Sequence, residues 1–156
     1  MNTTIIGLNQ EATEKLVTNL NGLLSNFQVY YQNLRGLHWN IKGKSFFELH
    51  VKFEEFYTDS QEKIDMIAER ILTLGGTPLH TFEEYSAISK VKVGKNITND
   101  VESVKLVVNS LSELLKIERE LLNQSDEAND EGTNSMMSDF IAEQEKTIWM
   151  LNAWLN

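Results

Sequence analysis

From Leu16 the apolar residues recur at Leu20, Leu23, Leu24, Phe27, Tyr31, Leu34 and Ile41, intervals of three and four that line one stripe of a helix. The pattern predicts a first helix over residues 9–41. Gly43 supplies a stop, and Ser45 with Glu48 three residues later has the form of a capping box opening a second helix. Phe46, Phe47, Leu49, Phe53, Phe56, Tyr57, Ile64, Ile67 and Leu74 carry that helix over residues 46–74, where Gly75-Gly76 and then Pro78 end it. Residues 77–97 break the periodicity, with room for a short helical segment at 82–88. Thr98 or Asn99 can cap a third long helix over 99–123, striped by Val101, Val104, Val108, Leu111, Leu115 and Leu122. Asp126 to Gly132 forms an acidic turn. Met136, Met137, Phe140, Ile141, Ile148, Leu151 and Leu155 then mark a fourth long helix over 131–155.

Four long helices with an extended middle connection differ from a plain up-down bundle, because the connection must cross over the bundle as in ferritin-like folds. The expected architecture is all-α, a single ferritin-like domain over residues 1–156. The composition agrees: one Pro and eight Gly leave few breakers, and 41% hydrophobic residues suffice for a core. Met1 to Gln10 lacks the basic start and apolar stretch of a signal peptide, and no window reaches ~18 uncharged apolar residues. The expected location is the cytoplasm, with no membrane association.

The absence of Cys excludes a disulfide framework, a thiolate metal site, an iron–sulfur cluster and a cysteine nucleophile. Any bound metal must therefore be held by His, Asp or Glu. Of the three His, His38 ends the first helix and His50 lies early in the second, so a tight turn lets their imidazoles approach. His80, after Pro78, has no assigned role beyond surface or packing. Glu54 follows His50 by four residues and Glu69 follows Asp65 by four, so each pair shares a helix face. His50 and Asp65 are separated by roughly 22 Å along one helix and cannot hold the same ion within one chain. Either the pairs are unrelated surface features, or two chains pack their second helices antiparallel so that His50 and Glu54 of one face Asp65 and Glu69 of the other. The second arrangement is isologous and makes two identical sites per dimer. Imidazole with several carboxylates suits iron, with zinc or manganese as possible substitutes. No Glu-x-x-His pair occurs, which argues against a di-iron site inside one bundle.

These residues stand in segments that resemble the Dps family of prokaryotic mini-ferritins. The resemblance lies in Leu37-His38-Trp39-Asn40-Ile41-Lys42-Gly43, Phe46-Phe47-Glu48-Leu49-His50 and Ile64-Asp65-Met66-Ile67-Ala68-Glu69-Arg70, and continues through Gly75-Gly76-Thr77-Pro78 to Glu145-Lys146-Thr147-Ile148-Trp149-Met150-Leu151. It implies that His38, His50 and Glu54 are metal ligands from one subunit and Asp65 and Glu69 ligands from its two-fold partner. The family usually carries Asp where this chain has Glu54. The resemblance further implies a homo-dodecameric hollow shell that oxidises Fe(II), preferably with hydrogen peroxide and more slowly with oxygen, and stores a ferric mineral as protection against oxidative stress. Trp39 resembles the family's aromatic neighbour of the metal centre, placed to intercept stray oxidising equivalents.

The family also lines three-fold iron-entry pores with acidic residues near the last helix, which makes Asp130 and Asp139 the candidates here, with Ser135 at an often acidic position. DNA binding divides the family, commonly through a Lys-rich extension. Here the net charge is −9, Lys15 is the only basic residue among the first 34, and nothing basic follows Lys146. Lys90, Lys92 and Lys95 form the one local cluster. DNA binding is therefore not expected, and a nucleoid-protective DNA-binding protein with secondary metal chemistry is the competing reading.

Overall fold

A computed structural model describes residues 2–156 of the chain. Five helices follow in order: α1 Gln10–Asn40, α2 Phe46–Thr73, α3 Phe82–Ile88, α4 Asp100–Glu127 and α5 Glu131–Leu155. α1 and α2 form one hairpin and α4 and α5 another, α1 packs against α4, and α3 lies on α1 within the crossover. This is the ferritin-like four-helix bundle with a short extra helix in its long connection. Among the described residues the only extended pairing is an isolated bridge between Thr3 and Asn9. No helix is long and apolar enough to cross a membrane.

The helix starts follow local chemistry. Asn9, Thr81, Asn99 and Asp130 each accept a hydrogen bond from the backbone N–H three residues on, satisfying a donor that the first turn leaves open. Ser45 does not. It occupies the cap position of α2 without a side-chain hydrogen bond, so the expected Ser45–Glu48 box is not formed. Its backbone (φ −92°, ψ 15°) is turned away from the extended conformation that aims a capping hydroxyl at the helix. At the far end of α2, Gly75 takes φ +85°, and the N–H groups of Gly75 and Gly76 return to Leu72 and Ile71. A Cβ on Gly76 would lie 2.5 Å from a methyl of Val17, so only glycine lets the crossover leave so close to α1.

α4 runs to Glu127, past the expected stop at Asn123, because Asn134 of α5 donates to the Leu122 carbonyl and the turn falls later, at Asn129 with φ +56°. Its buried stripe is also rotated from the expected one: Val104, Val107, Leu111, Leu114, Glu118 and Leu121 point inward, whereas Val101 is exposed and Val108, Leu115 and Leu122 are half-buried. Similarly Tyr30, not Tyr31, enters the core of α1. Polar residues in the true stripes confuse the pattern, since Ser103, Ser110, Glu118 and Ser125 all sit in the core face of α4.

The crossover is held to α1 by three asparagines. Asn21 pairs with the carbonyl of Thr77 and the N–H of Leu79, Asn26 accepts from the N–H groups of Lys90 and Val91, and Asn33 bridges the Lys92 carbonyl and the Gly94 N–H. Amide side chains replace the secondary-structure partners that this irregular segment lacks.

Candidate metal centre

Gly43, at φ +109°, reverses the chain between α1 and α2 and brings His50 against His38. The two imidazoles stack with centroids 3.8 Å apart and planes 13° from parallel. Each Nδ1 lies against the other residue's backbone carbonyl, at 2.6 Å for His38 to His50 and 2.7 Å for the reverse. A carbonyl oxygen only accepts, so in both rings Nδ1 carries the hydrogen and donates it. In a neutral ring Nε2 is then left with its lone pair free, the tautomer of a metal ligand. Phe46 stacks on the His50 ring at 4.9 Å and the edge of Tyr57 meets His38 at 5.4 Å, so packing as well as hydrogen bonding sets the ring planes. His38 is buried and His50 half-buried.

Glu54 stands one helical turn beyond His50, and Asp65 and Glu69 stand one turn apart further along α2; all three are exposed. Among the described residues no three His, Asp or Glu side chains of a single chain come together as a metal-holding group. One chain thus orients two imidazoles and separately presents carboxylates, as the separation along α2 requires. Trp39 is exposed, and the Arg35 guanidinium lies 4.8 Å over its ring and 5.5 Å from that of Tyr31.

The structure corrects the expectation for Asp130. It is 2% exposed, caps α5 through the Thr133 N–H, accepts from the Thr133 hydroxyl and pairs with Arg70. Both carboxylate oxygens are engaged inside the subunit, so the side chain does not present itself to a pore. Asp139 and Ser135 are exposed on α5. His80 is exposed and its Nδ1 meets the Pro78 carbonyl at 3.0 Å, a local turn contact. Lys90, Lys92 and Lys95 are exposed along the crossover.

A polar group inside the bundle had no place in the sequence reading. Lys63 is buried on α2 and gives hydrogen bonds to both oxygens of Asp59 and to Glu143, each at 2.7 Å. Burial lowers its pKa, but the bonds to those two carboxylates outweigh burial and raise it overall. Deeper in, Glu118 of α4 is fully buried and accepts from the Gln144 amide at 2.8 Å. The available signal was spacing: Glu118 continues the register of Leu111, Leu114 and Leu121, where a solvent-facing carboxylate has no reason to stand.

Comparison with known proteins places the chain in company. The ferritin-like domain family matches residues 17–156. A DNA protection during starvation protein of Porphyromonas gingivalis is 42% identical over 150 residues, covering 96% of this chain and 94% of that protein. The crystal structure of the Dps protein of Vibrio cholerae O1, described as a member of a ferritin-like diiron-carboxylate superfamily, superposes with a TM-score of 0.98 at 51% identity, covering 100% of this chain and 98% of the other. A zinc-soaked Dps structure from Listeria innocua superposes with a TM-score of 0.86 at 29% identity, over 90% and 95% of the two chains.

Proposed function

Because this chain belongs to the Dps family of ferritin-like proteins, we propose that His38, His50 and Glu54 of one subunit and Asp65 and Glu69 of a two-fold partner bind Fe(II) for oxidation. The protein is a Dps-like ferroxidase that stores the iron it oxidises, and it self-associates as Dps proteins do. The observation that carries the ligand assignment is the reciprocal His38–His50 pair, which holds two Nε2 lone pairs free at the end of a hairpin. A second support comes from the exposed face of α2. In antiparallel two-fold packing, residues equidistant from the helix midpoint meet. Phe47 and Leu72 are exposed apolar residues equidistant from a point between Asp59 and Ser60, and the exposed pair Val51 and Met66 is centred one residue earlier. His50 pairs with Glu69, and Glu54 with Asp65, about the point between Asp59 and Ser60. An apolar seam and an imidazole–carboxylate set sharing a centre to within one residue is what an isologous interface demands.

The chemistry follows from the donor set. Two Fe(II) each give one electron to hydrogen peroxide, which with two protons yields two waters, while the carboxylates offset the charge gained by the iron. Oxygen serves as the slower oxidant, zinc or manganese can occupy the same ligands, and a dodecameric shell holds the ferric product. Trp39 stands beside His38 to capture oxidising equivalents that escape this two-electron path. Asp139 is the remaining pore candidate. The net charge of −9 and the scattered lysines favour a protein that does not hold duplex DNA at physiological salt. Tight, salt-sensitive retention in a gel shift would reverse that last assignment.

The test is anaerobic Fe(II) titration followed by peroxide, comparing the native protein with His50→Ala and Asp65→Ala. Each variant is expected to lose most of the tight Fe(II) binding and the rapid oxidation. Normal oxidation and storage by both would show that the ligands lie elsewhere.

A further inference from the structure

The pair formed by Glu118 and Gln144 is left incomplete by every group around it. Glu118 Oε1 accepts from Gln144 Nε2, while Glu118 Oε2 and Gln144 Oε1 are both buried without a hydrogen-bond partner. Both orphans are acceptors, so neither satisfies the other unless one of them carries a proton.

No neighbouring donor bonds to either orphan. From α2, Lys63 has three N–H donors, and all three go to Asp59 and Glu143. From α1, Tyr30 makes no hydrogen bond to the pair, and its phenol is held neutral by burial, reinforced by the charge of Asp59. On α4 itself, Arg119 points to Glu145 of α5 at the surface, 3.6 Å away. A cavity of about 30 Å³, room for one water, is lined by Tyr30, Lys63, Glu143 and Gln144. Gln144 lines it and Glu118 does not. A cation in this position would sit beside the ammonium of Lys63.

We propose that Glu118 carries its own proton on Oε2 and donates it to Gln144 Oε1, closing a two-bond acid–amide pair that latches α4 to α5 and opens when the acid ionises. Protonation turns two unsatisfied acceptors into one hydrogen bond, with no other atom required. Loss of the proton to solvent leaves a buried carboxylate oxygen facing an amide oxygen, which repel. The environment favours the closed form below neutrality: burial pushes the Glu118 carboxyl up to about 7, against the lowering by the Gln144 hydrogen bond and by the charges of Lys63 and Arg119. The sign for stability follows. The native state holds this proton more tightly than the unfolded chain, whose carboxyl has the ordinary value of 4.5. The stabilisation is complete below that value and is lost as pH rises through about 7.

Infrared spectroscopy of the assembled native protein tests the latch without any substitution. At about pH 6, where ordinary carboxylates are ionised, the C=O stretch of a buried carboxylic acid is expected, fading with a midpoint near neutrality and gone by about pH 9. Glu118→Gln abolishes that band and, because an amide–amide pair keeps both bonds at every pH, melts progressively higher than the native protein as the pH is raised. A native protein without the band at about pH 6, a band that persists in Glu118→Gln, or parallel melting-temperature profiles each overturns the proposal. If Glu118→Gln does not fold, the native titration alone decides.

Discussion

Asp130 joins three features of the fold in one side chain: the cap of α5, the hydroxyl of Thr133 and the guanidinium of Arg70, the residue after Glu69. Asp130→Ala removes the cap and leaves a largely buried arginine without its partner. A loss of about 3 kcal/mol in folding stability is expected, measurable by urea denaturation. A loss below about 1 kcal/mol would mean that Arg70 finds solvent or another acceptor. At this scale the sequence was partly legible. His38, His50, Glu54, Asp65 and Glu69 stand out as candidate ligands because imidazole and carboxylate recur at helical spacing in a chain without cysteine and fall in the segments that resemble the Dps family. Asp130 was misread because an acidic run before a helix looks alike whether its members face water or a buried arginine. Glu118 was missed because carboxylates are assumed to be exposed unless a partner is in view, and Gln144 is 26 residues away.

The crossover shows what elements owe to side chains from elsewhere. Asn26, itself 2% exposed, accepts from two consecutive N–H groups of residues 90 and 91. In Asn26→Ala the Lys90 N–H loses its acceptor, and the Val91 N–H keeps only the Ser89 hydroxyl oxygen at 3.1 Å. Amide hydrogen exchange at Lys90 and Val91 is expected to quicken by about tenfold or more, with the exchange of the α4–α5 core unchanged. Equal exchange in the two proteins would show that the connection is held by packing alone. Helix existence was plain from the sequence because three- and four-residue intervals recur over many turns. The rotation of α4 was not, since serines and a glutamate occupy its buried stripe while valines and leucines lie on adjacent ones. A periodicity argument counts apolar residues; burial depends on which stripe the neighbouring helix covers.

For the whole molecule, the distinctive prediction concerns mixing. If each site draws on two subunits, a heterodimer of His50→Ala with Asp65→Ala collects both lesions in one site and none in the other. Either variant assembled alone is expected to oxidise Fe(II) poorly, while co-assembly restores up to about a quarter of the native sites on random pairing. No recovery in demonstrably mixed assemblies would place the ligands within single chains. A related outcome is expected at the seam: Val51→Glu with Met66→Glu should dissociate the two-fold pair and abolish rapid oxidation with every ligand intact, as sedimentation and stopped-flow absorbance would show.

The sequence by itself determined the helical class, the number of long elements, the need for a crossover and the type of ligand, because periodicity, breakers and side-chain chemistry are local properties. It also ruled that one helix cannot close the site, since the rise per residue sets the distance from His50 to Asp65. Only the tertiary structure decided how the two histidines lock each other's tautomers, which carboxylates are spent on arginine and lysine inside the subunit, and that Glu118 lies sealed against Gln144. Those outcomes depend on which atoms meet across helices far apart in the chain, and a partner's lone pair or proton leaves no trace in the spacing of residues along it.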